Sequence, residues 1–121
     1  MRAYRVAYDG RAYHGFQRQP QVPTVEDVLF SGLRDLGLEF ADAPPEYAAA
    51  GRTDRGVSAL AQTLAFDAPD WLTPRAFTTQ LPADVHVWAS AAVPDDFHAT
   101  HDAISRTYTY YLYAPEAKSA P

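Results

Sequence analysis

Cysteine is absent from this 121-residue chain, so neither disulfides nor thiolate chemistry can enter any account of it. Lysine is nearly absent too, with Lys118 alone against nine arginines. No apolar run approaches the roughly 20 residues that a membrane-spanning helix needs, and Met1-Arg2-Ala3-Tyr4 is unlike the start of a signal peptide. The six glycines form no nucleotide-binding pattern of the Walker or dinucleotide kind. Four histidines, His14, His86, His98 and His101, have no cysteine to assist them and no convincing metal-ligand spacing. Ser58 has no histidine near it in sequence, which leaves a serine triad without support. These absences point to a cytoplasmic protein that uses neither metal nor thiol chemistry.

What is present suits a folded domain. The chain is 47% hydrophobic and 13% aromatic, and its length matches one domain with a real core. Its net charge is −5 and its pI about 5.1, where a basic stripe would be the usual footprint of a nucleic-acid binder. Eleven Asp against four Glu, with one Lys, resembles the surface composition of proteins adapted to high salt. The arginines nevertheless keep phosphate recognition open, because the planar guanidinium binds phosphate through two parallel hydrogen bonds.

Along the chain, Arg2 to Tyr8 alternates polar and apolar residues and predicts a strand ended by Asp9-Gly10. Arg11 to Pro23 is a long loop dense in aromatic and amide side chains. Thr24 is an expected N-cap, with Glu26 and Asp27 well placed in the first helical turn. Val25, Val28, Leu29, Leu33 and Leu36 then share one helical face, and Gly37 is the expected stop. Gln62 to Phe66 reads as a strand, Thr73-Pro74 opens a short helix to about Gln80, and Val85 to Val93 reads as a strand. Arg106 to Tyr113 reads as another, with Tyr108 and Tyr110 on one face. The order predicts an α+β fold of ferredoxin-like type, an antiparallel sheet with two helices over residues 1–113, followed by a frayed tail over 114–121.

The stretch Ala50-Gly51-Arg52-Thr53-Asp54-Arg55-Gly56-Val57 sets a cation, a hydroxyl and a carboxylate side by side between two glycines. A guanidinium beside a carboxylate keeps it ionised near neutral pH, which suits a base or a nucleophile and equally suits an ion pair that staples a turn. The tyrosine strand likewise reads either as core filling or as a platform for stacking a nucleobase.

Taken together, these pieces resemble one family. Tyr8-Asp9-Gly10 with Tyr13, Gly15, Phe16, Gln17 and Gln19 is similar to the opening of TruA-type tRNA pseudouridine synthases. Ala50 to Val57 resembles their A-G-R-T-D-x-G-V motif, Leu81 to Val85 their L-P-x-D-[IV], and Phe97-His98-Ala99 with Arg106, Tyr108 and Tyr110 their later segments. The resemblance implies isomerisation of uridine to pseudouridine in the anticodon arm of tRNA, with no cofactor and no membrane. It implies Asp54 as the catalytic aspartate, Arg52 as its neighbour that helps to extrude the base, and Tyr108 packed on that base. Gln17, Arg18, Arg55 and Arg106 are the candidate substrate contacts. Four positions depart from the family pattern: Arg55 for Ala, Ser58 for His, Thr78 for Asn and Thr100 for Arg. Family members are about twice as long, so the chain reads as an N-terminal part. The alternative is a catalytically inert RNA-binding or dimerising module, and a homodimer is expected for the stretch alone.

Overall fold

In the computed structural model, which describes residues 1–51 and 55–94, the first alternating stretch forms strand β1 (Arg2–Tyr8) in the interior of a four-stranded sheet. The other elements follow as helix α1 (Val25–Asp35), β2 (Ala48–Ala49), β3 (Ala59–Phe66), α2 (Pro74–Thr78) and β4 (Val85–Ala92). The sheet order is β2-β3-β1-β4, and each adjacent pair is antiparallel. Each helix therefore connects strands that have one other strand between them. The α+β architecture expected from the sequence is present. The strand expected over Arg106 to Tyr113, the segment Phe97 to Ala99 and the tail 114–121 lie outside the described residues.

The period-two pattern of β1 puts Tyr4, Val6 and Tyr8 into the core. Tyr4 stacks on Phe66 at 5.4 Å between ring centroids and meets the edge of Phe77 at 5.5 Å. Its hydroxyl donates to the Leu72 carbonyl at 2.8 Å, so a wholly buried phenol has its polar tip satisfied. Phe77 pins the five-residue α2 to the sheet, because a helix that short has little stability of its own.

Helix α1 begins with a reciprocal cap. The Thr24 hydroxyl accepts the Asp27 N–H at 3.3 Å, and the Asp27 carboxylate accepts the Thr24 N–H at 3.1 Å. It ends where Gly37 adopts φ +100° and Leu38 N–H returns to the Leu33 carbonyl at 3.1 Å. The buried face is wider than apolar periodicity indicates, since it includes Phe30 and Glu26. Strand β3 starts at Ala59 rather than Gln62. A register shift lets Ala59 pair with Tyr8 after Val6 has paired with Gln62, which carries the strand back toward the glycine loop. The aromatic loop is also more ordered than its composition predicts. Tyr13 and Phe16 are buried, Phe16 lies 5.8 Å from Tyr8, and Gln19 bridges to Val22.

Candidate active site

Three stretches far apart in sequence meet at one end of the sheet: the turn after β1, the loop between β2 and β3, and the turn before β4. The loop is held on both sides of the residues that interrupt it. On the β2 side Ala50 N–H donates to the Thr63 carbonyl at 2.8 Å, and Gln62 Nε2 donates to the Gly51 carbonyl at 2.9 Å. On the β3 side Gly56 N–H donates to the Tyr13 carbonyl at 3.0 Å, with Gly56 at φ +77°. Next to it Val57 lies on Gly10 so closely that a Cβ at position 10 would sit 2.0 Å from the Val57 carbonyl oxygen. Gly10 is therefore required by space, because backbone passes over backbone there. Its buried N–H donates to Ser58 Oγ at 2.9 Å.

The same turn organises the local charges. Asp9 N–H donates to the Asp84 carbonyl at 2.9 Å, and the Tyr13 hydroxyl donates to Asp84 Oδ1 at 2.8 Å, which ties the β1 turn to the turn before β4. The Asp9 carboxylate accepts Arg11 Nε at 2.9 and 3.0 Å and the Arg11 N–H at 3.1 Å. These hydrogen bonds hold its pKa down to about 2, with a smaller contribution from the Ser58 hydroxyl. Asp9 is thus ionised throughout the physiological range. Burial, and then the hydrogen bond to Asp84, raises the Tyr13 phenol above its ordinary value, so that side chain remains a neutral donor.

The site residues expected from sequence fall into two groups. Arg52, Asp54, Arg106 and Tyr108 lie outside the described residues. Arg55 and Gln17 are described and exposed. Arg18 is committed to its own neighbourhood. Its guanidinium donates to the Asp42 carbonyl and lies 4.8 Å from the Phe30 ring centroid, while its backbone N–H donates to Glu26 at 2.9 Å. Glu26, nearly buried, also accepts the Tyr47 hydroxyl at 2.6 Å. No cluster of side chains able to hold a metal ion occurs among the described residues, and no helix among them is long and apolar enough to cross a membrane. In sequence Gly10 reads as the end of a strand, Ser58 as a departure from the family pattern and Gln62 as a strand residue, and none of the three is assigned a holding role. Their only signal was their place inside or beside the motifs.

No protein-family model matches the chain. Curated relatives do. A protein of Haloarcula marismortui named tRNA pseudouridine synthase A is 67% identical over 100% of this chain and 45% of its own length. One of the same name from Halobacterium salinarum is 64% identical over 98% of this chain and 44% of its own length. A third from Methanosarcina mazei is 46% identical over 91% of this chain and 42% of its own length. The chain thus spans less than half the length of these relatives and corresponds to their N-terminal part.

Proposed function

We propose that the chain, which matches the N-terminal part of relatives named tRNA pseudouridine synthase A, belongs to that family and supplies the catalytic loop for converting uridine to pseudouridine in the tRNA anticodon arm. One observation carries this reading. The loop that bears Arg52 and Asp54 is held on its β3 side by the first stretch that resembles the family, through Gly10 and Tyr13, which Asp84 of the second such stretch braces, and on its β2 side by Gln62 of β3. Such a grip suits a reacting group, whose effectiveness depends on being held in place before substrate arrives.

The isomerisation breaks the bond between C1′ and N1, turns the uracil while it stays bound, and joins C1′ to C5. The proton on C5 leaves and N1 ends protonated, so no atom is gained or lost and no redox partner is required. Asp54 as a carboxylate attacks the sugar or takes its 2′ proton. Arg52 favours the ionised form and helps to draw the base from its stack, which costs a few kcal/mol that base stacking, here by Tyr108, offsets. Arg55, Gln17 and Arg106 are the proposed RNA contacts. Arg18 acts by shaping the loop it braces, because its guanidinium already has partners.

The β-α-β-β-α-β order with sequence β2-β3-β1-β4 in the sheet supports a ferredoxin-like half-domain over residues 1–113. The whole protein is proposed to be cytoplasmic. Because 45% of the relatives' length is present, the 121 residues alone are proposed to be inactive. They are also proposed to pair with a second copy, for which the exposed Val57, Leu60 and Trp71 provide apolar surface. The deciding experiment is Asp54→Asn in the active protein that carries this chain. Pseudouridine formation should disappear while tRNA affinity stays within a few-fold, and appreciable turnover would remove Asp54 from the reaction.

A further inference from the structure

The described flanks of the loop are fixed by side chains outside the residues proposed to react. Gln62 is one. It is 8% exposed, its Nε2 holds the Gly51 carbonyl at 2.9 Å, and its own Oε1 accepts the Thr63 N–H at 3.1 Å. The amide therefore uses both of its ends at once, and it cannot swing without losing the Gly51 contact or the Thr63 contact. Ser58 is the other. Its hydroxyl accepts the Gly10 N–H at 2.9 Å, which stitches the β3 side of the loop to the turn after β1.

We propose that Gln62 and Ser58 are positioning residues, which hold the two described flanks of the motif, Gly51 on one side and Val57-Ser58 on the other, in the arrangement that the reaction proposed for Asp54 requires. This rests on the reading of Asp54 as the catalytic carboxylate. Neither side chain needs to touch RNA in this role. Their loss acts on the chemical step, since a reacting group misplaced by about 1 Å can cost on the order of a hundredfold in rate.

The test uses the active protein that carries this chain, with wild type and Asp54→Asn as references. Ser58→Ala and Gln62→Glu should each lower kcat about tenfold or more with KM for tRNA within twofold. The Gln62→Glu change keeps the shape and removes the donor to Gly51. Ser58→Thr keeps the hydroxyl and should recover most of the rate. Amide hydrogen exchange reads the grip independently of activity: Gly10 N–H should exchange at least about fivefold faster in Ser58→Ala and at the wild-type rate in Ser58→Thr. Wild-type kcat in both Ser58→Ala and Gln62→Glu, or Thr and Ala at position 58 behaving alike, would overturn the positioning role while leaving Asp54 in place. Turnover by Asp54→Asn would instead overturn the reading beneath it.

Discussion

Replacing Gly10 by alanine is the sharpest perturbation available at this site. An ordinary contact to a Cβ lies at 3.4–4 Å, whereas the added methyl would stand 2.0 Å from the Val57 oxygen, 2.4 Å from its carbonyl carbon and 3.0 Å from Ser58 N. All three are backbone atoms, so no rotamer change relieves the overlap, and the two chains must separate by about 1 Å or more. Forced repacking of that kind typically costs about 1–3 kcal/mol, offset by about 0.4–1 kcal/mol because alanine restricts the unfolded chain. The displacement falls on Val57 and Ser58, directly after the loop that carries Asp54, so kcat should fall on the order of a hundredfold. Gly37→Ala is the control. Its φ of +100° strains any side chain, but no atom lies within 4 Å of the new Cβ, so it should cost roughly 1–2 kcal/mol of stability and leave kcat alone. Urea midpoints would be paired with single-turnover pseudouridine formation in the active protein. If Gly10→Ala lost stability like Gly37→Ala but turned over at the wild-type rate, the contact would be packing only, and the argument that this turn aims the loop would be refuted.

Thr78→Val should destabilise by roughly 1–2 kcal/mol, because the Thr78 hydroxyl both donates to the Val87 carbonyl and accepts the Val87 N–H, each at 3.0 Å, and valine leaves both edge groups unpaired. A urea midpoint unchanged within 0.3 kcal/mol would refute that, and an increase in sedimenting mass is expected alongside the loss as the β4 edge opens. Alkaline pH should unfold the protein early. Burial raises the phenols of Tyr4, to about 12, and of Tyr13 and Tyr47. The fold therefore favours their neutral forms, and this contribution is intact below about pH 10 and lost as pH rises above it. A melting temperature flat from pH 10 to 12 would contradict this.

Local physics made most of the fold readable. Helix α1 declared its start through Thr24, its first turn through Glu26 and Asp27, and its end through Gly37, and each signal is realised in a bond or a dihedral. Strand β1 declared itself by alternation of residue type, with Tyr4, Val6 and Tyr8 on the main core, although Ala3 and Arg5 on its other face are buried as well. What stayed hidden depends on partners distant in sequence. The two-residue β2 is too short to have a period, and it exists because β3 offers Ala65 and Leu64 as partners. Glu26 looked like a dipole-facing surface carboxylate. It is buried because Tyr47, 21 residues later, donates to it.

The candidate site divides along the same line. Sequence singled out the residues proposed to react, since a cation, a hydroxyl and a carboxylate in three consecutive positions stand out in any chain. It did not show which residues would hold them. The Tyr13–Asp84 bond spans 71 residues and the Gly10–Ser58 bond 48, and neither pair has a local pattern that requires it. Ser58 illustrates the difference. As a departure from the family pattern it looked like the loss of a histidine, yet its hydroxyl accepts the Gly10 N–H at the tightest backbone crossing of the site. A residue type can thus be abnormal for a motif and still well matched to the contacts that the fold brings to it. The chemistry proposed for this loop is written in consecutive letters, whereas the hold on its described flanks is written in pairs that become adjacent only after β1, β3 and β4 have formed one sheet.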